Sequence, residues 1–152
     1  PAHMPVSLVA DDDPEQQLRN AFGGALVLLV EDEAVNREIG RILLEDAGLC
    51  VDLAEDGQEA VEKAQTTRYD LVLMDMQMPR MGGLEATQQI RGGDGASARC
   101  PIIAMTANAF AEDRERCFAS GMDDFISKPV DPGLLFSTAL RWLQQGHPQV
   151  SK

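Results

Sequence analysis

One stretch, Asp70-Leu-Val-Leu-Met-Asp75-Met-Gln-Met-Pro79, constrains this chain more than any other. Its consecutive apolar residues, Leu71 to Met74, have the length and bulk of a strand buried on both faces, as in a parallel sheet. Pro79 has no amide hydrogen to give a ladder, so the strand ends before it. Asp75 therefore stands at the carboxyl end of a central strand, where open α/β sheets place their chemistry. A carboxylate at such a place is, taken alone, more often a loop or helix-cap residue. Its company elsewhere in the chain decides the matter.

That company is an alternation of strand and helix patterns. Ala25 to Val30 is a second buried-type strand, and it ends in Glu31-Asp32. Val35, Ile39, Ile42 and Leu43 follow helical spacing up to a stop at Gly48. Leu49 to Ala54 alternates like a half-exposed edge strand, and a helix is predicted from about Gln58 to Gln65. After the Asp75 strand come a turn at Met81-Gly82-Gly83, a helix from Leu84 to about Arg91 and a loop from Gly92 to Ser97. Pro101 to Thr106 is a strand ending in a hydroxyl, Ala109 to Ser120 a polar helix, and Asp124 to Lys128 a shorter edge strand. Asp131-Pro132 supplies an N-cap and a proline at the first helical position. Leu135, Ala139 and Trp142 share one face of the last helix. Five strands alternating with five helices predict a doubly wound α/β sheet.

Length and charge bound the function. At 152 residues and 44% hydrophobic, the chain is expected to hold one domain with a sizeable core. No apolar run reaches the length of a membrane span, and no signal-peptide pattern is present. Cys50, Cys100 and Cys117 are odd in number and widely spaced, which reads as reduced thiols of a cytoplasmic protein. A formal net charge of −12 argues against nucleic acid and favours partners that are proteins or cations.

The expected division is an appendage over residues 1–24, a folded domain over 25–145 and a tail over 146–152. Pro1-Ala-His-Met4 reads as the remnant of a cloned tag, and Asp11 to Glu15 as an acidic linker. Gln16 to Phe22 has the pattern of a short helix, with a solvated linker the favoured reading. The short tail is expected to carry no output domain, and the tag remnant and acidic linker read as signs of a fragment of a longer protein, with a stand-alone module as the alternative.

In a parallel sheet the polar strand ends, Glu31-Asp32, Asp75, Thr106 and Lys128, all project from one edge. Each has a plainer reading: a helix cap for the acidic pair, a turn hydroxyl for Thr106, a solvated edge-strand lysine for Lys128. Their agreement on one edge outweighs these. Carboxylates about 4 Å apart repel by about 4 kcal/mol at an effective dielectric of about 20. A bound cation offsets that cost, and oxygen ligands without His or Cys suit Mg²⁺, with Mn²⁺ as the alternative. A dication, an ammonium and a hydroxyl around one carboxylate oxygen suit an incoming phosphoryl group. Asp75 would then be the nucleophile, forming an acyl phosphate. Gln77 and Asn108, two residues beyond the acceptor and the threonine, are expected to govern water access to it.

Leu-Leu-Val-Glu-Asp-Glu, Leu-Met-Asp-Met-Gln-Met-Pro, Met-Thr-Ala and Ser-Lys-Pro together resemble the receiver domains of two-component response regulators, over residues 25 to about 144. The resemblance is closest to receivers attached to hybrid sensor histidine kinases. It implies a flavodoxin-like sheet of order 2-1-3-4-5. It makes Glu31 and Asp32 the acidic metal pair, Asp75 the phosphoacceptor and further metal ligand, and the Gln77 backbone carbonyl another ligand. Thr106 and Lys128 would contact the phosphoryl group, Phe125 would be the rotating switch aromatic, and the Lys128–Pro129 bond would be cis. The family usually carries Asp or Asn where this chain has Gly82, a difference that bears on loop rigidity and not on chemistry.

The function so implied is phosphorelay signalling. A phosphohistidine on a histidine kinase dimerisation domain or a histidine phosphotransfer domain would be the donor. The expected module is a cytoplasmic monomer, with a membrane-anchored parent as one alternative, that catalyses only its own phosphorylation and dephosphorylation and touches neither nucleic acid nor membrane. A haloacid-dehalogenase-type phosphatase is the alternative, opposed by Gln77, which cannot serve as that family's second acid. An unphosphorylated docking module is a further alternative, opposed by the intact acidic set. A flavodoxin-like cofactor binder lacks its phosphate cradle, and no P-loop is present.

Overall fold

Strands whose side chains are apolar on both sides must be covered on both sides, and helices do the covering. The computed structural model describes residues 13–76, 81–93, 95–107, 111–128 and 130–146. Within them the chain runs α1 (Pro14–Phe22), β1 (Leu26–Val30), α2 (Ala34–Asp46), β2 (Cys50–Ala54), α3 (Gly57–Thr66) and β3 (Leu71–Asp75). It continues through α4 (Gly83–Gly92), β4 (Ile102–Thr106), α5 (Ala111–Ser120), β5 (Asp124–Ser127) and α6 (Pro132–Gly146). The five strands form one all-parallel sheet of order β2-β1-β3-β4-β5. This is the flavodoxin-like arrangement, with its chain reversal between β1 and β3.

Alternate residues of each central strand feed two separate cores. Val27, Leu29, Leu71, Leu73, Ile103 and Met105 pack with Leu44 of α2 and with Leu135, Ala139 and Leu143 of α6. Leu28, Val30, Val72, Met74, Ile102 and Ala104 pack on the other side with Val61 of α3, Ala86 and Ile90 of α4 and Cys117 of α5. Asp131 caps α6 as expected, its Oδ2 accepting from the Leu134 amide at 2.9 Å, with Pro132 as the first helical residue.

Three features differ from the sequence reading. The segment before β1, favoured as solvated linker, is a helix from Pro14 that lies against α6. Asp13 caps it, accepting from the Glu15 amide, and Leu18 is wholly buried in the first core. Arg19 Nη2 donates to the Asp46 carbonyl at 2.6 Å, and the Gly24 amide to the Gly48 carbonyl at 2.8 Å. The turn at Gly48 has φ +89°, and a Cβ there would lie 3.3 Å from Arg19 Cα, so this approach suits glycine. The second difference is the face of α2. Its expected helix forms, but Val35, Ile39 and Ile42 are 65%, 51% and 45% exposed, and Leu44 carries the packing with the expected Leu43 partly buried beside it. The last strand also stops at Ser127, leaving Lys128 in the loop beyond it.

Candidate functional site

The parallel register brings the strand ends level. Val30 pairs with Met74, Asp75 with Met105 and Thr106 with Ser127, so Glu31, Asp75, Thr106 and Lys128 leave the sheet within about a residue of one another. Single hydrogen bonds carry the pairing just past the ladders. The Glu31 amide donates to the Ala54 carbonyl at 3.0 Å, Met76 to Met105 at 3.0 Å and Lys128 to Thr106 at 2.8 Å. Two glycines close the loop after β3: a Cβ on Gly83 would stand 2.6 Å from the Asp75 carbonyl oxygen, and one on Gly57 2.4 Å from that of Met81. Backbone therefore packs where a side chain would have pushed the acidic strand end away.

Glu31, Asp75 and Thr106 are buried, and Asp32 is exposed at the rim. Lys128 Nζ lies 3.0 Å from Asp75 Oδ1 and 3.2 Å from Glu31 Oε1, bridging the two buried carboxylates. Lys128 is thus no solvated edge residue. The acidic pair does not cap α2 either: the cap position is Glu33, and Glu31 Oε2 instead accepts from the Glu33 amide within the loop. Burial, followed by the Asp75 charge, pushes the Glu31 carboxyl above its ordinary range, and Lys128 offsets only part of this. Burial alone would lower the lysine, but Asp75 and Glu31 together hold it above its ordinary value.

Glu31, Asp32 and Asp75 each offer a carboxylate oxygen, and these oxygens lie within 4.8 Å of one another. Three carboxylates thus meet one ammonium, an excess of negative charge in a set of hard oxygen donors. That donor chemistry fits Mg²⁺.

Phe125 on β5 is half-buried, pairs with Ala104 of β4 and meets Phe118 of α5 edge to face at 6.4 Å. Gln77, Asn108 and Pro129, on which the carbonyl ligand, the water-access roles and the cis Lys128–Pro129 bond rest, lie outside the described residues. Sequence reading passed over Arg37. Its Nη1 donates to the Glu31 carbonyl at 2.9 Å and the Asp32 carbonyl at 3.4 Å, and its Nη2 lies 3.9 Å from Glu55. Only its place a turn and a half beyond the acidic pair, on the helix that follows, could have signalled it.

A sequence profile described as the response regulator receiver domain matches residues 27–140. The chain belongs to that family. Among its relatives is a probable histidine kinase 1 of Oryza sativa subsp. indica, 39% identical over 154 aligned positions that cover 82% of this chain but 16% of that protein. This receiver therefore spans a small part of the curated relatives it matches. The receiver domain of a sensor histidine kinase from Pseudomonas aeruginosa PAO1 is 42% identical, with a TM-score of 0.73 over 79% of this chain and 98% of that one. That structure holds a magnesium ion coordinated in the active site cleft. A receiver domain of a Saccharomyces cerevisiae response regulator, solved with its histidine phosphotransfer protein, is 30% identical, with a TM-score of 0.74 over 82% of this chain and 92% of that one. Such relatives do not favour the phosphatase alternative.

Proposed function

We propose that this receiver takes a phosphoryl group from a phosphohistidine onto Asp75, in a reaction that requires Mg²⁺ or Mn²⁺, and that it changes conformation in response. The observation that carries this reading is the placement of the buried Asp75 carboxylate, 3.0 Å from the Lys128 ammonium and grouped with the Glu31 and Asp32 oxygens. An Asp75 oxygen attacks phosphorus, a P–O bond forms, and the P–N bond breaks with its electron pair returning to the donor imidazole. Lys128, already directed at Asp75, pairs with the charge spreading over the phosphoryl oxygens. Glu31, Asp32 and Asp75 would hold the metal, which supplies further positive charge to those oxygens. Thr106, at the end of the neighbouring strand, donates its hydroxyl to the phosphoryl group. Its movement leaves space into which Phe125 turns, carrying the change toward α5 and α6. Gln77 and Asn108 set how readily water reaches the acyl phosphate.

The donor is a histidine kinase dimerisation domain or a histidine phosphotransfer domain. The apolar stripe of Val35, Ile39 and Ile42 supports a helical protein partner, because it stands exposed beside the site. Next to it runs a groove of about 450 Å³ whose lining includes Ile39, Leu43, Lys128, Val130 and Leu135. The parent protein is read as a hybrid histidine kinase whose receiver faces the cytoplasm. Among the described residues no helix is long and apolar enough to cross a membrane.

Intact mass after incubation with acetyl phosphate tests the reading. A gain of one phosphoryl group with Mg²⁺, lost on chelation, is expected. No gain under either condition, with the protein folded, would overturn it.

A further inference from the structure

The acidic loop has a problem that its carboxylates do not solve. Beyond Val30 the β1 ladder ends, and the Glu31 amide makes the last sheet-like bond, to Ala54. The carbonyls of Glu31 and Asp32 lie past the ladder and need donors of their own. Arg37 meets both: one nitrogen of its guanidinium serves the two carbonyls and another reaches toward Glu55, beyond the end of β2. The Arg37 side chain is only 17% exposed, so the guanidinium is packed and its bond to the Glu31 carbonyl part-buried, while Asp32 and Glu55 lie at the surface. Among the described residues the Asp32 side chain has no hydrogen-bond partner, and this exposed carboxylate takes its direction from its main chain.

We infer that Arg37 is a positioning residue for divalent-cation capture, holding the Glu31–Asp32 main chain so that both carboxylates converge with Asp75. Fixing the peptide between Glu31 and Asp32 fixes the direction in which the Asp32 side chain leaves the backbone. A charged donor also places positive charge behind a loop whose front collects three carboxylates, without competing for the oxygens that face the metal. The planar group suits this task, because one nitrogen serves both carbonyls while the other is held toward Glu55 in the same rigid plane. A lysine at this position keeps the charge and loses the span. The inference rests on the metal-dependent phosphoacceptor reading given above.

Isothermal titration calorimetry of the whole chain with Mg²⁺, well below its melting temperature, tests it, with amide NMR shifts of residues 31–33 as a second readout. Arg37→Gln is expected to bind Mg²⁺ about tenfold more weakly, the lower end of what loss of a residue supporting metal ligands costs. Arg37→Lys should fall between this variant and wild type, and Glu55→Gln should stay close to wild type. With acetyl phosphate, the Mg²⁺ concentration needed for half-maximal phosphorylation should rise in Arg37→Gln, and the rate at saturating Mg²⁺ should return to the wild-type value. A folded Arg37→Gln that binds Mg²⁺ as wild type does would overturn the inference, as would a saturating rate that stays low. If Arg37→Gln does not fold, Arg37→Lys decides in the same way. Failure of the wild-type protein itself to bind Mg²⁺ would instead overturn the metal-dependent reading.

Discussion

The two edges of this sheet use carboxylates in opposite ways. At the amino edge each is matched to a donor that the fold supplies. Asp70 Oδ2 accepts from the Leu26 amide at 2.8 Å, the first of β1, and Asp123 Oδ2 from the Ile102 amide at 2.9 Å, the first of β4. Arg91 completes the arrangement, donating to the carbonyls of Gly121, Ala98 and Cys100 and pairing with Asp123 at 2.8 Å. At the carboxyl edge, three carboxylates gather and one lysine pairs with two of them, Glu31 and Asp75. The first edge spends its charges on closing the fold, and the second keeps an excess of negative charge for a ligand. A carboxylate's role thus follows from what the strand end offers it: free amides where strands begin, other strand ends where they finish.

The sharpest way to break this division is Asp75→Asn. Phosphoryl uptake should vanish because the amide is a poor nucleophile, and the folded state should persist; retained uptake in an intact-mass assay would remove Asp75 as acceptor. On the other edge, Leu18→Ala should cost about 3 kcal/mol in urea unfolding, because a fully buried leucine joins α1 to the first core. Below its melting temperature the variant should still take up a phosphoryl group, and an unchanged unfolding midpoint would return α1 to the status of a linker. Arg91→Met should cost about 2 kcal/mol, since partly buried carbonyls lose a charged donor. Impaired phosphorylation of the folded variant would show that the two edges are not independent.

The smallest expected effect lies on the edge strand. Burial would raise the Asp52 carboxyl, but the Tyr69 hydroxyl at 2.6 Å and the Lys63 ammonium at 3.1 Å together hold it below its ordinary value of 3.8. A depressed carboxyl contributes stability above its unfolded pKa and loses it as pH falls through the folded one. Asp52→Asn should therefore be less stable than wild type at neutral pH by under about 1 kcal/mol, the pair being partly exposed. Urea midpoints of the two proteins should converge as pH falls below about 3.8. A gap independent of pH would assign the effect to packing.

Much of the fold was legible in the chain because covering a strand on both faces demands an unbroken apolar run, as at Leu71 to Met74. Much of the candidate site was legible because parallel strands deliver their carboxyl ends to one edge whatever lies between them. Periodicity stops short of which neighbours each element meets. A nine-residue amphipathic helix such as α1 reads the same docked or solvated, being too short to persist by propensity alone. The apolar spacing of Val35, Ile39 and Ile42 likewise marks a helix and is silent about which face turns inward. The splitting of Lys128 between Glu31 and Asp75, and the hold of Arg37 on two carbonyls, depend on distances of about 3 Å between atoms placed by packing. The order of elements and the identity of the charged strand ends were thus determined by sequence alone. The docking of α1, the exposed stripe of α2 and the tie at Arg37 were decided by tertiary structure, because side-chain contacts between distant segments exist only once the sheet has set their positions.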